Sequence, residues 1–140
     1  MMAITESTET LVRRFIEEDV NSPDGALTDE IVAEDFVDHT NPPEMQHGRE
    51  GHRAILALFH ASFPGLRFEI DDVFVCGDRA ALRLTMRATH TGEFFGIPAT
   101  GRDVTVEGTH ILRLANGQVA EHWGTNDDLG LMRQLGVIQG

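Results

Sequence analysis

The sequence predicts an α+β domain in which N-terminal helices pack on one face of a curved, mainly antiparallel sheet, leaving a cone-shaped cavity between them. Three observations carry this. Up to about residue 62, apolar residues recur at three- and four-residue spacing; after Gly65 the period changes to alternation over long stretches; and the helices precede the strands in the chain. A run of strands joined by short turns selects a meander rather than alternating βαβ units. With 140 residues the chain is expected to form one domain, residues 1–140, without linker or repeat.

The first helix is expected from Thr5 to Val20, where Leu11, Val12, Phe15, Ile16 and Val20 share a face. "NSPDG" breaks it, a short helix runs through Ile31, and the prolines of "DFVDHTNPP" impose an extended path. A second long helix is expected from about Arg49 to Ser62, with Ile55, Leu56 and Phe59 inward and Pro64–Gly65 as its stop. Four strands follow. Leu66, Phe68, Ile70 and Phe74 share one face of the first, which turns at "CGD". On the second, Ala80, Leu82, Leu84, Met86, Ala88 and His90 face inward while Arg79, Arg83 and Arg87 face solvent. The loop "TGEFFGIPATG" leads to a third carrying Val104, Val106, Gly108, His110, Leu112 and Leu114 on one face. "NG" at 116–117 signals a tight hairpin into the last, Gln118 to about Asn126.

Composition narrows the function. An apolar fraction of 41% and a charged fraction of 24% are those of a soluble globular protein. A net charge of −12 repels phosphate backbones and anionic membrane surfaces, so neither nucleic acid nor membrane is an expected partner. All 11 basic residues are Arg, which excludes Schiff-base chemistry on a lysine. One cysteine, Cys76, forms no internal disulfide, and with no signal-like start the expected location is the cytoplasm.

Three polar residues fall on strand faces that are otherwise apolar: His90, His110 and, by continuing the alternation from Trp123, Asp127. Asp127 is expected to face the interior, where an apolar wall raises a carboxyl toward the pKa of a general base; Asp128 is expected to cap the last helix. The other reading of Asp127 is that it is itself the cap. His39 is expected at the cavity mouth, either positioning a carbonyl or bonding backbone. His47, His52 and His60 lie near or on the second helix without a carboxylate at ligand spacing, so no metal site is expected. Nucleotide-binding, nucleophile-elbow and zinc-protease motifs are absent.

"GEFFGIPATGRDV" at 92–104, "NGQVAEHW" at 116–123, the aspartate four residues after the tryptophan and "LGLMRQLG" at 129–136 resemble the SnoaL-like polyketide cyclases, also called ester cyclases. These belong to the nuclear-transport-factor-2-like, cystatin-like superfamily of α+β cones. The resemblance implies cofactor-free intramolecular aldol condensation of a polyketide methyl ester, with Asp127 as acid/base, His110 and His39 as pocket histidines, and His90, Trp123, Phe59, Phe94 and Phe95 contacting a small hydrophobic carbonyl ligand. It also implies a homodimer. Gly108 departs from the pattern, because the cyclases place a polar side chain two residues before the histidine. That departure motivates the alternative, a non-catalytic cone that binds a small molecule. Epoxide hydrolysis on this fold needs an arginine between two aspartates, whereas Arg87 and Arg113 read as outward.

Overall fold

In the computed structural model, which describes residues 7–139, Ser7 caps the first helix by accepting a hydrogen bond from the Thr10 N–H. Helix α1 (Thr8–Arg14) continues into a π-wound segment, Phe15–Val20. The wider winding ends with the Asn21 N–H bonded to the Ile16 carbonyl, five residues back. It keeps Phe15 and Ile16 in the core and also carries Asp19 into it. The expected start at Thr5 lies outside the described residues. Short α2 (Thr28–Ile31) leads into β1 (Val32–Asp38), and a single turn at Pro43–Met45 precedes α3 (Gly48–Ser62).

The meander is β2 (Arg67–Cys76), β3 (Arg79–Thr89), β4 (Asp103–Ala115) and β5 (Gln118–Asn126), followed by α4 (Asp128–Leu135). All five strands form one sheet in the order β1-β5-β4-β3-β2. The stretch around "EDFVDH" is therefore a strand, and it pairs parallel with β5 at the sheet edge. One core cluster joins Leu11, Val12, Phe15 and Ile16 to Phe36, Leu82 and Leu112; a second joins Phe63, Met86 and Phe94 to Leu131 and Leu135 of α4.

Two register shifts set which side chains face inward. In β2 the pairing with β3 slips between Ile70 and Asp72. Beyond the slip the faces exchange, so Phe74, expected inside, is 68% exposed. In the β4–β5 hairpin, Ala115 pairs with Gln118 and Leu114 with Val119, but Arg113 pairs with Glu121, which leaves Ala120 as the extra residue of a bulge. From there His122, Gly124 and Asn126 stand opposite Leu112, His110 and Gly108 and share their inward face.

Gly92 ties the loop after β3 to the end of α3. Its N–H and that of Thr91 donate to the Ser62 carbonyl, and a Cβ on Gly92 would sit 2.1 Å from the Ala61 carbonyl oxygen. Gly92→Ala should therefore cost about 1–3 kcal/mol in urea denaturation, because backbone rather than a flexible side chain has to yield. Thr91→Ala, at an exposed neighbour, should stay within about 0.5 kcal/mol.

Candidate active site

Between the helices and the sheet lies a pocket of about 150 Å³. Phe15, Leu56, Phe59, Leu84, Met86 and Phe94 give it apolar walls; Asp38, His52, His110, His122 and Asn126 are the polar groups set among them. Thr40 and Asp128 are the exposed lining residues and mark its mouth. No arginine lines the pocket, and among the described residues no group of three or more His, Cys, Asp or Glu side chains is arranged to hold a metal ion.

The inward residues of the three neighbouring strands β1, β5 and β4 form a hydrogen-bonded chain. Parallel pairing sets Asp38 beside His122, whose Nδ1 lies 2.8 Å from Asp38 Oδ1. His122 Nε2 is 2.9 Å from His110 Nδ1, and His110 Nε2 is 3.0 Å from Asn126 Oδ1. The two imidazole rings lie nearly parallel, 5.1 Å apart. Two glycines make room for this. A Cβ on Gly124 would lie 2.4 Å from His110 Nδ1, and one on Gly108 would lie 2.1 Å from Asn126 Oδ1. Gly108 is thus not a missing polar group: its cross-strand partner Asn126 fills that space with a carboxamide.

Asp38 is 5% exposed. Burial pushes its carboxyl upward, but the hydrogen bond and positive field of His122, together with the Thr40 N–H, outweigh burial and hold it below the ordinary aspartate value. His110 is pushed down to about 4, first by burial and then by the His122 charge, against weaker opposing effects of Asn126 and Asp38. His110 is therefore neutral near pH 7. On the opposite wall, His52 of α3 makes a second buried pair with Asp19 of the π-wound segment.

Several expected positions are corrected. Asp127 is exposed and serves as the N-cap of α4, its Oδ1 accepting from the Gly130 N–H at 2.8 Å, so it does not face the interior. Asp128 takes the place at the pocket mouth instead. Trp123 lies on the outer face, stacked on His39 at 5.1 Å with the Arg79 guanidinium 4.9 Å from its ring centre. His39 is drawn to that face by Glu121, 2.6 Å from its Nε2, and lines no part of the pocket. The cause is the Ala120 bulge, which turns Glu121, Trp123 and Thr125 of β5 outward while Val119, before it, stays in the core.

His90 is fully buried but outside the pocket. Its Nδ1 accepts from the Thr100 N–H, which places the proton on an Nε2 that has no partner beside the Phe63 ring. Phe95, 55% exposed at φ 44°, also lies off the pocket, whereas His110, Phe59 and Phe94 line it as expected. Arg87 and Arg113 point outward, paired with Glu69 and Glu121.

The sequence reading passed over Asp38, His122, Asn126 and the Asp19–His52 pair. Asp19 did leave a signal, an acid on the apolar face of the first helix. Gly108 and Gly124 left another, since glycines inside strands mark close approach by a neighbour.

Comparison with known proteins agrees with this architecture. The sequence model of the SnoaL-like polyketide cyclases matches residues 10–135. The chain is 30% identical over 132 residues to aklanonic acid methyl ester cyclase DnrD of Streptomyces peucetius, covering 90% of this chain and 88% of that one. It is 29% identical over 114 residues to nogalonic acid methyl ester cyclase of Streptomyces nogalater, covering 78% and 85%. Among solved structures, TsrD from Streptomyces laurentii superposes with a TM-score of 0.85 at 30% identity, over 97% of this chain and 100% of that one. The curved mixed sheet around N-terminal helices is the nuclear-transport-factor-2-like cone, and a cyclase-like catalytic function fits the family, the fold and the buried Asp/His network together. The chain belongs to the SnoaL-like polyketide cyclase family.

Proposed function

We propose that the protein closes a ring in a small hydrophobic carbonyl compound by cofactor-independent intramolecular aldol condensation, with a polyketide methyl ester as substrate class. The methyl ester cyclases among its relatives support the substrate class. The single observation that carries the chemistry is the chain Asp38–His122–His110–Asn126 ending in an apolar pocket.

This chain can hold its protons in two ways that differ by one. In the first, His122 Nδ1–H donates to Asp38, His110 Nδ1–H donates to His122 Nε2, and His110 Nε2 is a free lone pair toward which Asn126 turns its NH₂. In the second, His110 Nε2–H donates to Asn126 Oδ1, His122 Nε2–H donates to His110 Nδ1, and His122 carries a positive charge against Asp38. Taking a proton at His110 Nε2 converts the first into the second. His110 stays neutral throughout, as its low pKa requires, and the charge comes to rest on the ring paired with a carboxylate. A carbon flanked by two carbonyls is acidic enough to give up that proton when the enolate forms in such a site. Asp38 is the positioning residue for His122, and His110 is the group that meets the substrate.

Solvent-deuterium exchange at the α-carbon of a panel of β-keto esters tests this. His110→Gln and Asp38→Asn should each slow exchange roughly a hundredfold or more, the usual contribution of general acid/base catalysis. Asp127→Asn should leave it intact, since Asn caps helices as well as Asp does. Loss of exchange in Asp127→Asn with retention in the other two would return the role of base to Asp127.

Gly124→Ala drives a methyl between the two rings. It should lower kcat about as much as His122→Ala does while circular dichroism keeps its native signal, because the proton path is interrupted at one contact.

Acid titration checks the neutral state of His110. The unfolded chain binds a proton on this residue below 6.5, the folded one only below about 4. Between these values the unfolded state holds more protons, so stability rises with pH there, is fully present above 6.5, and is lost as pH falls toward 4. Wild type should lose about 3 kcal/mol more than His110→Gln across that window in urea unfolding.

A further inference from the structure

We infer that His52, held by Asp19, is a second proton-transfer group of the same pocket and supplies the proton that turns the attacked carbonyl into an alcohol. The inference rests on the aldol reading above and adds a residue to it from the opposite wall.

Asp19 sits in the π-wound turn with no exposed surface, and His52 is 3% exposed. Asp19 Oδ1 accepts the Thr28 hydroxyl at 2.6 Å, and its Oδ2 lies 2.7 Å from His52 Nε2. The ring is clamped by Phe15, stacked at 5.5 Å, and Phe36, edge-on at 5.4 Å, so its orientation is fixed before any ligand arrives. That orientation makes His52 part of the pocket wall, and its Nδ1 has no hydrogen-bond partner among the described residues.

A carboxylate withdrawn wholly from water is unfavourable by several kcal/mol unless an opposite charge meets it. Thr28 offers only a neutral donor. With both ring nitrogens protonated, His52 neutralises Asp19 through Nε2–H and presents Nδ1–H, a donor without an acceptor, at the pocket wall. The same positive charge helps hold Asp38 ionised across the cavity.

Aldol closure moves protons at two different atoms, and this pocket has a group for each. The relay at His110 takes the proton from the α-carbon, leaving the electron pair as an enolate. The enolate carbon attacks the second carbonyl carbon; a carbon–carbon bond forms and the C=O π pair moves onto oxygen. That oxygen takes the proton from His52 Nδ1, giving the alcohol and a neutral His52. The relay then holds one extra proton and His52 lacks one, and solvent exchange through the mouth at Thr40 and Asp128 restores both. Before the transfer, the Nδ1–H of the charged ring, aimed at the carbonyl, also lowers the barrier by stabilising developing oxyanion charge.

Two measurements test this. The first uses a β-keto methyl ester carrying a methyl ketone placed for six-membered ring closure, with α-proton exchange and ring formation followed separately. His52→Gln, whose amide can still donate to Asp19, should keep exchange within about threefold of wild type and lose ring formation about a hundredfold in kcat with little change in KM. Asp19→Asn should show the same split. Ring formation retained in His52→Gln while exchange persists overturns the assignment. Loss of exchange in wild type itself would instead sink the aldol reading. The second measurement is independent of turnover: ¹⁵N-histidine NMR of the wild-type protein at neutral pH should show both His52 nitrogens protonated, and in Asp19→Asn a neutral ring. A neutral His52 in wild type overturns the assignment whatever the kinetics.

Discussion

The extra residue at Ala120 is the constraint on which the rest of the site depends. A strand offers its neighbours a choice of two faces, and the choice is made once for the whole strand unless a bulge intervenes. Without the bulge, the hairpin register at Ala115–Gln118 would carry Trp123 opposite His110 and send the indole, Glu121 and Thr125 into the cavity. With it, His122, Gly124 and Asn126 turn inward against His110, and Trp123 and Glu121 turn out to meet His39 and Arg79. A single inserted residue thus selects between a pocket lined by an indole and one lined by a proton chain.

Polar groups on the sheet wall of the apolar pocket are tolerated because each is answered by another. A buried donor or acceptor left unmade is unfavourable by about 1–3 kcal/mol, and a lone buried charge by more. The relay meets that requirement end to end: Asp38 is satisfied by His122 and the Thr40 N–H, both nitrogens of each ring are engaged, and Asn126 closes the chain. Satisfaction on this scale needs close contact. Two absent side chains, at Gly108 and Gly124, allow it, so glycine that weakens a strand locally is recovered in a network that holds two strands in register.

How much of this was legible follows from the range of each signal. Helical and alternating periodicity are local, so α1, α3 and the four strands of the meander could be read directly, as could the inward side of β3 and β4 with His110 on it. The faces of β2 beyond Ile70 and of β5 beyond Val119 could not, because a bulge has no strong residue signature and reverses everything after it. The Asp38–His122 bond was out of reach for another reason. It spans 84 positions and exists because β1 pairs parallel with β5, a contact set by the path of α3 and strands β2–β4 between them and not by any motif. The resemblance of the tryptophan–aspartate block gave the family correctly, while the position of its aspartate in this chain follows the bulge and the α4 cap.

The two walls of the pocket solve one electrostatic problem in different ways, and the difference bears on what each can do. On the sheet side a neutral ring shares the wall with the charge pair: His110, His122 and Asp38 all line the cavity, and a proton taken at His110 is passed along the chain to the ring that faces Asp38. That arrangement suits a group that must take up a proton without itself becoming a buried cation. On the helix side no neutral ring intervenes, and His52 both meets the cavity and faces its carboxylate directly. A ring so placed presents one nitrogen to its carboxylate and the other to the cavity, the geometry that the proposed proton delivery to a new alkoxide requires. The π-wound turn matters for this reason. Ordinary helical winding past Phe15 would not set Asp19 and Phe15 in the same relation to His52, and the ring's stacking partner and its counter-charge come from that one irregular turn.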